Sequence, residues 1–250
     1  MGYRYGTAYR EPTNPSDVTK SIVQFQHVDG YKYGSNFLNV DTLLSDSKDP
    51  AAGGGSGATE VYIVYRHTLS YSKVSGNQIK WGPINDIGLT TGFDLNAKNT
   101  TFAPRERKIL VGPTLNFNVP GFLSVGPQLY QEWNHEGITS PGKDITFKTT
   151  YCIAAAWGIP FKLGLPVVFK GYALYIGPKG KDGFGNETAP EFLTETALMF
   201  DVGSIFGQKG TFYAGGGYQY WHNKFGSDSS KDHSGGSTAS VPQIQCEVHF

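Results

Sequence analysis

The feature that most constrains this fold is a repeated segment of about ten residues in which apolar and polar side chains alternate, a length typical of membrane-spanning strands. Alternation with a period of two indicates a β-strand, and the helical period of 3.6 is absent nearly everywhere. Clusters of Gly, Pro, Asn, Asp and Ser separate the segments. The twelve segments are 3–11, 18–28, 31–44, 60–71, 84–95, 108–118, 122–133, 145–157, 167–176, 193–202, 211–222 and 241–250.

The length of the segments and of their connections narrows the fold class. Strands of globular proteins usually have about 5 or 6 residues, whereas a tilted membrane-spanning strand needs about 9 to 11. Every other connection is long and polar, and those between them are mostly shorter, with 72–83 as the exception. This pattern predicts an all-β chain folded as one domain over residues 1–250, a 12-stranded antiparallel transmembrane β-barrel with up-and-down meander order.

The two faces of each segment differ in polarity. In the fourth segment Val61, Ile63 and Tyr65 share one face, while Glu60 and Arg66 share the other. Aromatic residues stand at the ends of the apolar faces, as in the girdles that flank lipid, and they include Tyr3, Tyr5, Tyr9, Tyr65, Tyr71, Trp133, Trp157, Tyr220 and Phe250. We therefore expect the apolar face to contact lipid and the polar face to line a lumen.

Pro113 and Pro127 interrupt the sixth and seventh segments. Each proline lacks the backbone N–H that would join the ladder of hydrogen bonds. The two prolines are placed almost symmetrically about the turn at Pro120. We predict a bulge or a gap in the ladder between these two strands.

Composition excludes several classes of protein. The chain has 21 Lys and Arg against 21 Asp and Glu, with no basic cluster on a periodic face, so nucleic-acid binding is not expected. No apolar run reaches the length of a membrane-spanning helix. The chain opens without a basic and apolar leader, so a secretory signal would already have been removed. Cys152 and Cys246 match no metal or redox spacing and fall on opposite faces, which predicts two free thiols.

The polar face carries charges of both signs. Its expected cations are Arg4, Arg10, Lys20, Arg66, Lys108, Lys148 and Lys170, and its expected acids are Asp41, Glu60, Asp94, Glu132, Glu195, Asp201 and Glu247. Seven of each sign give no net field, unlike the single-sign rings of ion-selective pores. This balance favours neutral solutes that form hydrogen bonds.

Amides, carboxylates and aromatic rings on this face are suited to read base edges and ribose hydroxyls and to stack on a nucleobase. The candidate solute-binding residues are Phe37, Asn39, Asp41, Glu60, Tyr62, Arg66, Gln128, Tyr130, Glu132, Lys148, Lys170, Tyr172, Glu195 and Trp221. The alternative for each residue is structural, because barrel interiors are commonly filled by charges and aromatics that satisfy one another.

Enzymatic signatures are absent. The six histidines show no HExxH spacing and no GxSxG occurs, so we expect no catalytic residue, no metal and no cofactor. A lipid-acting barrel enzyme is one rival, with Ser21 and His27 on the outer face; a barrel that binds a partner or anchors the envelope is another. A soluble all-β protein is a smaller possibility. In the loop 177–187, Asp182, Asn186 and Glu187 could hold a hard cation, although a flexible glycine turn explains them more simply.

Three stretches resemble a known family. They are Lys20-Ser-Ile-Val-Gln-Phe-Gln-His27, Tyr31-Lys-Tyr-Gly-Ser-Asn-Phe37 with Asn39-Val-Asp41, and Glu60-Val-Tyr62 through Arg66 to Leu69-Ser70. Over about residues 19–70 the chain resembles the Tsx-like nucleoside-specific channel-forming proteins of Gram-negative outer membranes, and Val248-His249-Phe250 is similar to the aromatic C-terminal signature of outer-membrane barrels. The resemblance implies a twelve-stranded monomeric channel in the bacterial outer membrane that contacts the lipid bilayer and passes nucleosides.

Overall fold

Thirteen antiparallel strands in a single sheet make up most of the computed structural model, which describes residues 1–250. The strands are β1 (Gly2–Tyr9), β2 (Val18–Tyr31), β3 (Gly34–Ser45), β4 (Thr59–Ser70), β5 (Ile84–Lys98), β6 (Arg107–Phe117), β7 (Phe122–Glu136), β8 (Lys143–Thr146), β9 (Thr150–Leu163), β10 (Leu165–Ile176), β11 (Glu191–Asp201), β12 (Phe212–His222) and β13 (Thr238–Val248). The short β8 pairs only with the end of β7, and the other twelve strands, which form the barrel, each pair with their neighbours along the chain.

The sheet closes on itself. β1 pairs with β13 from Gly2 opposite Glu247 onwards, and β6 pairs with β7. An exposed strand edge would leave backbone groups without hydrogen bonds in lipid, and a closed sheet has no such edge. The predicted 12-stranded antiparallel transmembrane barrel with meander order is therefore confirmed.

The two ends of the barrel differ. One end, here called the loop rim, carries the long connections 10–17, 46–58, 99–106, 137–149, 177–190 and 223–237. The other end, the terminus rim, carries both chain termini and the connections 32–33, 71–83, 118–121, 164 and 202–211. The long exception among them contains the one-turn helix α1 (Tyr71–Ser75), which Ser70 caps and which ends at Gly76 with a positive φ of 74°. None of the helices is long or apolar enough to cross a membrane.

Side chains follow the predicted inversion of polarity. Outside, Ile244 and Leu129 remain 65% and 64% exposed, and Val61 is also exposed. Inside, Arg4, Lys20 and other charged side chains are buried. A barrel in water would bury its apolar face, so this arrangement fits an apolar solvent around a polar lumen.

The first strand departs from the expected parity near its end. Between Gly6 and Tyr9 the register with β2 shifts by one residue, which is a β-bulge. The bulge turns Tyr9 into the lumen, where its hydroxyl accepts a hydrogen bond of 2.9 Å from Gln243 Nε2. Arg10 leaves the strand and pairs with Asp17 at 2.7 Å. The assignments of Tyr9 to the lipid face and of Arg10 to the lumen were wrong, because one extra residue exchanges the faces.

The eighth predicted segment is interrupted. Its first residues belong to β8, and residues 147–149 lie between β8 and β9. Phe147 is buried in this gap, whereas Lys148 is exposed at the loop rim and runs beside Gly180. The expectation that Lys148 lines the lumen was wrong, because the gap breaks the alternation.

Two other sequence expectations agree with the structure. Pairing of β6 with β7 lapses between Val111 and Leu115, so Pro113 and the opposing Pro127 face each other across a gap in the ladder, as predicted. Cys152 is buried on the lumen side, Cys246 lies on the outer face, and both thiols are free.

Candidate functional site

The middle of the lumen is organised around Arg4 on β1. Its guanidinium donates to Asp41 on β3 and to Glu195 on β11, so it bridges two carboxylates from different parts of the wall. Glu195 also accepts a hydrogen bond of 3.0 Å from Gln219 Nε2. The register places further polar side chains halfway along their strands. We call the set of Arg4, Gln24, Asn39, Asp41, Gln128, Tyr172, Glu195 and Gln219 the central belt.

Not every polar group of the central belt is satisfied. Gln24 Nε2 donates to Asn39 Oδ1 at 2.8 Å. In contrast, Arg4 Nε, Asp41 Oδ1 and Gln128 Oε1 are buried and have no hydrogen-bond partner. Buried polar atoms without partners are uncommon in folded proteins, and they often occur where a protein binds a ligand or carries out chemistry.

A second group of polar side chains lines the wall formed by β4, β5 and β6. Arg66 donates to Asp94 at 2.6 Å, and the Tyr62 hydroxyl donates to the same carboxylate at 3.1 Å. Lys108 Nζ donates to the Tyr62 hydroxyl at 3.0 Å and lies 3.0 Å from a carboxylate oxygen of Glu106. These charges neutralise one another along the wall.

Towards the loop rim, β7 and the loop 177–190 meet in a third group. The Tyr130 hydroxyl donates to Glu132 at 2.6 Å, and Lys179 from the loop donates to the same carboxylate at 2.5 Å. Glu191 is 4.0 Å from Lys179 Nζ and accepts a hydrogen bond of 2.7 Å from Trp221 Nε1. The loop therefore contributes a cation to the interior of the barrel.

Glu11, in the loop between β1 and β2, is the centre of a fourth group. Its carboxylate lies 2.6 Å from Lys20 Nζ, 3.3 Å from Lys98 Nζ and 3.2 Å from Lys224 Nζ. Burial alone raises the pKa of Glu11, but these three ammonium groups lower it well below its ordinary value. Glu11 is therefore ionised at any pH near neutral.

Lys224 belongs to the loop between β12 and β13. Its Nζ donates to the carbonyl of Arg10 at 2.6 Å and lies 4.6 Å from the centre of the Trp221 ring. Burial lowers the pKa of Lys224 to about 8, even though Glu11 raises it; Lys20 and Lys98 add to the lowering. The loops 177–190 and 223–237 thus each place a lysine, Lys179 and Lys224, inside the barrel near the loop rim.

Between the central belt and the terminus rim the interior is also polar. Thr68, Thr90 and Thr114 form a chain of hydroxyl contacts of 2.9 and 2.6 Å across β4, β5 and β6. On the other side, Lys170 pairs with Glu247 near the terminus rim. The lumen is polar along its whole length.

Thirteen of the fourteen candidate residues face the lumen. Asn39, Asp41, Gln128, Tyr172 and Glu195 lie in the central belt, and Phe37 alternates with Asn39 and Asp41 on β3. The remaining residues that face the lumen are Glu60, which accepts from Asn96 Nδ2 at 2.6 Å, and Tyr62, Arg66, Tyr130, Glu132, Lys170 and Trp221. Lys148 is the exception.

Sequence reasoning missed several charged residues inside the barrel. Glu191, Lys98 and Glu106 continue the parity of Glu195, Asp94 and Lys108, but the predicted strands did not reach them. Extending each strand by a few residues would have found these three. Glu11, Lys179 and Lys224 come from loops, where alternation gives no information.

The residues considered for lipid chemistry do not meet. Ser21 and His27 both lie on the outer face of β2, but six residues of extended chain separate them by about 20 Å. The Ser21 hydroxyl pairs with the Tyr3 hydroxyl at 2.9 Å, and His27 Nε2 lies 3.5 Å from Asp29. They form no catalytic pair.

Another outer-face histidine is better oriented. His67 Nδ1 lies 2.9 Å from Asn36 Oδ1, and its Nε2 lies 3.2 Å from the Tyr31 hydroxyl. Asn36 in turn donates to Asp29 at 3.0 Å. No serine, threonine or cysteine bonds to His67, so the network orients an imidazole without supplying a nucleophile.

The loop considered for a cation forms a turn of its own. Asp182 accepts backbone hydrogen bonds of 2.9 Å from Phe184 and 2.8 Å from Asn186. Its carboxylate is thereby engaged by the loop itself. No group of three or more His, Cys, Asp or Glu side chains is arranged to hold a metal.

Closed strands, an apolar exterior and a polar interior define the class of this protein, a transmembrane β-barrel. Among solved structures, the NanC porin aligns with a TM-score of 0.52 at 10% identity, over 100% of this chain and 99% of the porin. The KdgM porin gives 0.43 at 8% identity over 100% and 99%, and the translocator domain of autotransporter NalP from Neisseria meningitidis gives 0.42 at 13% over 100% and 86%. The first of these shows a shared fold. No family model and no curated protein sequence matches the chain.

Proposed function

We propose that this protein is a channel of the Gram-negative outer membrane through which small neutral polar solutes diffuse passively, with nucleosides as the substrate class. The observation that carries the proposal is the inverted polarity of the barrel. Charged and amide side chains line the interior from Glu11 near the loop rim to Glu247 near the terminus rim. These groups offer a diffusing polar solute hydrogen-bonding partners along the whole axis of the barrel.

The solute class rests on the combination of amides with aromatic rings. Gln128 and Asn39 offer groups that bond to the edge of a base, and Phe37 and Tyr172 offer ring faces. Stacking on an aromatic side chain contributes about 1–3 kcal/mol per base. The resemblance of residues 19–70 to Tsx-like channels implies the same class.

Several aromatic residues have structural duties. Tyr130 and Tyr62 hold carboxylates through their hydroxyls, and Trp221 donates to Glu191. Phe37 has no polar atom, and the Tyr172 hydroxyl makes no hydrogen bond to protein. These two residues are therefore the ones we assign to stacking.

The test is solute uptake by liposomes that contain the purified protein. A nucleoside should enter faster than a sugar of similar size, and Phe37→Ala and Tyr172→Leu should reduce that advantage more than they reduce sugar entry. Tyr220→Leu, on the outer face, is the matched control. Equal rates for nucleoside and sugar would indicate a general pore, which would remove the nucleoside assignment.

If neither solute enters, the barrel is not a channel as reconstituted, and the proposal fails. In that case lipid hydrolysis in the same vesicles would favour the enzyme rival. Its absence, together with capture of envelope components by the loop rim, would favour a binding or anchoring barrel.

A further inference from the structure

The lumen is not electrically balanced once the loops and strand ends are included. Eight cations take part in ion pairs inside the barrel, namely Arg4, Lys20, Arg66, Lys98, Lys108, Lys170, Lys179 and Lys224. Their partners are ten carboxylates, namely Glu11, Asp41, Asp49, Glu60, Asp94, Glu106, Glu132, Glu191, Glu195 and Glu247. The excess of carboxylates corrects the equal numbers expected from the strands alone.

Near the loop rim, partial protonation of one carboxyl group reduces the excess of negative charge. Burial raises the pKa of Glu106, and although Lys108 opposes the shift, the carboxyl is not fully ionised near neutral pH. The charge count at that end of the lumen is therefore close to balanced. The excess that remains lies elsewhere.

Among the groups that form ion pairs, the remaining excess is in the central belt. Asp201, near the terminus rim, is a further buried acid and takes part in no ion pair. Arg4 is the only cation of the belt, and the two carboxylates that Arg4 bridges, Asp41 and Glu195, leave one negative charge uncompensated. The nearby pair of Arg66 and Asp94 is neutral as a unit. The belt thus carries a net negative charge at the place where a solute is furthest from both mouths.

The atoms without partners point the same way. Asp41 Oδ1 and Gln128 Oε1 are acceptors, and only Arg4 Nε is a donor. Both Gln128 and Arg4 are more than nine-tenths buried. A solute that brings N–H or O–H groups would satisfy Asp41 Oδ1 and Gln128 Oε1.

A single net charge has a measurable effect inside a barrel. Low-dielectric walls focus the field of fixed charges along a channel. At a distance of about 5 Å, the interaction of two unit charges in a water-like dielectric corresponds to about a fourfold change in occupancy. Carboxylate rings select cations in other channels by the same means.

We propose that the lumen admits neutral solutes and small organic cations, such as primary amines, in preference to anions, and that Arg4, Asp41 and Glu195 set this selectivity. The proposal rests on the proposed function, since it requires that the barrel conducts. It assigns the charge class of the solute, which a balanced lumen would leave open. Asp41 and Glu195 are the specificity determinants, and Arg4 limits their combined charge to one.

The experiment is the reversal potential of the protein in planar lipid bilayers under a gradient of potassium chloride. The wild-type channel should pass potassium faster than chloride. Glu195→Gln or Asp41→Asn should lower the permeability ratio about threefold to fivefold, because each variant removes one unit charge. The double variant should prefer chloride, since only Arg4 then remains charged in the belt.

The matched control is Glu187→Gln, the same chemical change at an exposed loop position outside the lumen. It should leave the ratio unchanged. A difference in electrophoretic mobility between unheated and heated samples shows that a variant has folded. If one single variant does not fold, the other one tests the inference.

A second measurement uses organic ions. Ethanolamine, a cation at neutral pH, should enter liposomes faster than glycolate, an anion of similar size, and the difference should shrink in Glu195→Gln. The inference would be overturned if the wild-type channel preferred chloride, or if Glu195→Gln and Asp41→Asn left the permeability ratio unchanged. The proposed channel function would not be contradicted by either result. A protein that passes no ion at all contradicts the proposed function and the inference that rests on it.

Discussion

Lys179 Nζ lies 2.5 Å from a carboxylate oxygen of Glu132, and the two side chains are 2% and 1% exposed. The lysine comes from the loop 177–190, and the carboxylate comes from the wall of β7. Phe147 lies against the same ammonium, 4.6 Å from its ring centre. A loop residue is thus buried inside the barrel, and the loop is held against the inner wall near the loop rim.

The first prediction concerns this anchor. Removing one partner of a buried ion pair destabilises a folded protein by about 3–5 kcal/mol. Lys179→Met should therefore release the loop from Glu132. The mouth should widen, and single-channel conductance should rise above that of the wild type. Lys181→Met, an exposed lysine in the same loop, is the control and should not change conductance. Equal conductance in all three proteins would show that the loop does not restrict entry.

The anchor also shows where sequence reasoning stops. Alternation placed Glu132 in the lumen, because the strand supplies a two-residue period. It said nothing about Lys179, which sits in a glycine-rich loop that the sequence suggests is merely flexible. Loop conformation depends on contacts that form only after the barrel closes.

Local irregularities explain the errors within strands. The bulge before Tyr9 and the gap at Lys148 each change which side chains face inward. No pattern in the surrounding residues predicts either irregularity. In contrast, strand number, faces and the proline gap follow from periodicity and from the chemistry of proline, which are local properties. The fold was therefore more predictable than the charge distribution of the lumen.

The second prediction tests the orientation of the wall. Ile63 faces outward on β4, whereas Thr68 faces inward and contacts the Thr90 hydroxyl. A charge on the lipid face near the bilayer midplane costs about 2–4 kcal/mol, and a charge in the lumen costs little. Ile63→Arg should therefore lower the unfolding free energy in lipid, measured by denaturant titration, more than Thr68→Arg. Equal losses would reverse or remove the assigned faces.

The third prediction concerns the two cysteines. Cys152 is fully buried and faces the lumen, whereas Cys246 is partly exposed on the outer face between Ile244 and Val248. In detergent, a small neutral maleimide should label one thiol, at Cys246, and both thiols should react after unfolding. Cys246→Ser should abolish the label on the folded protein, and Cys152→Ser should not. Intact mass under non-reducing conditions must show no loss of two hydrogens, since the side chains lie on opposite faces.

The last prediction concerns pH and the second loop anchor. Burial lowers the pKa of Lys224 to about 8 in the docked loop, despite the opposing effect of Glu11, whereas a lysine in water has a pKa of about 10.4. Between these two values the released loop binds a proton that the docked loop does not. Rising pH therefore favours the docked loop, by the linkage between proton binding and conformation. Below pH 8 both states are protonated, and the docked loop bears the cost of a buried charge.

The measurement is limited proteolysis of the loop 223–237 between pH 7 and pH 9, corrected for the activity of the protease on an unfolded substrate. Cleavage should slow as the pH rises, because Lys224 sheds its proton while Glu11 keeps two other ammonium partners, Lys20 and Lys98. Lys224→Met should be cleaved at one rate across the range, and Lys231→Met, in the same loop but exposed, should behave like the wild type. Faster cleavage at pH 9 in the wild type would mean that the charged form of Lys224 holds the loop in place, which contradicts the lowered pKa.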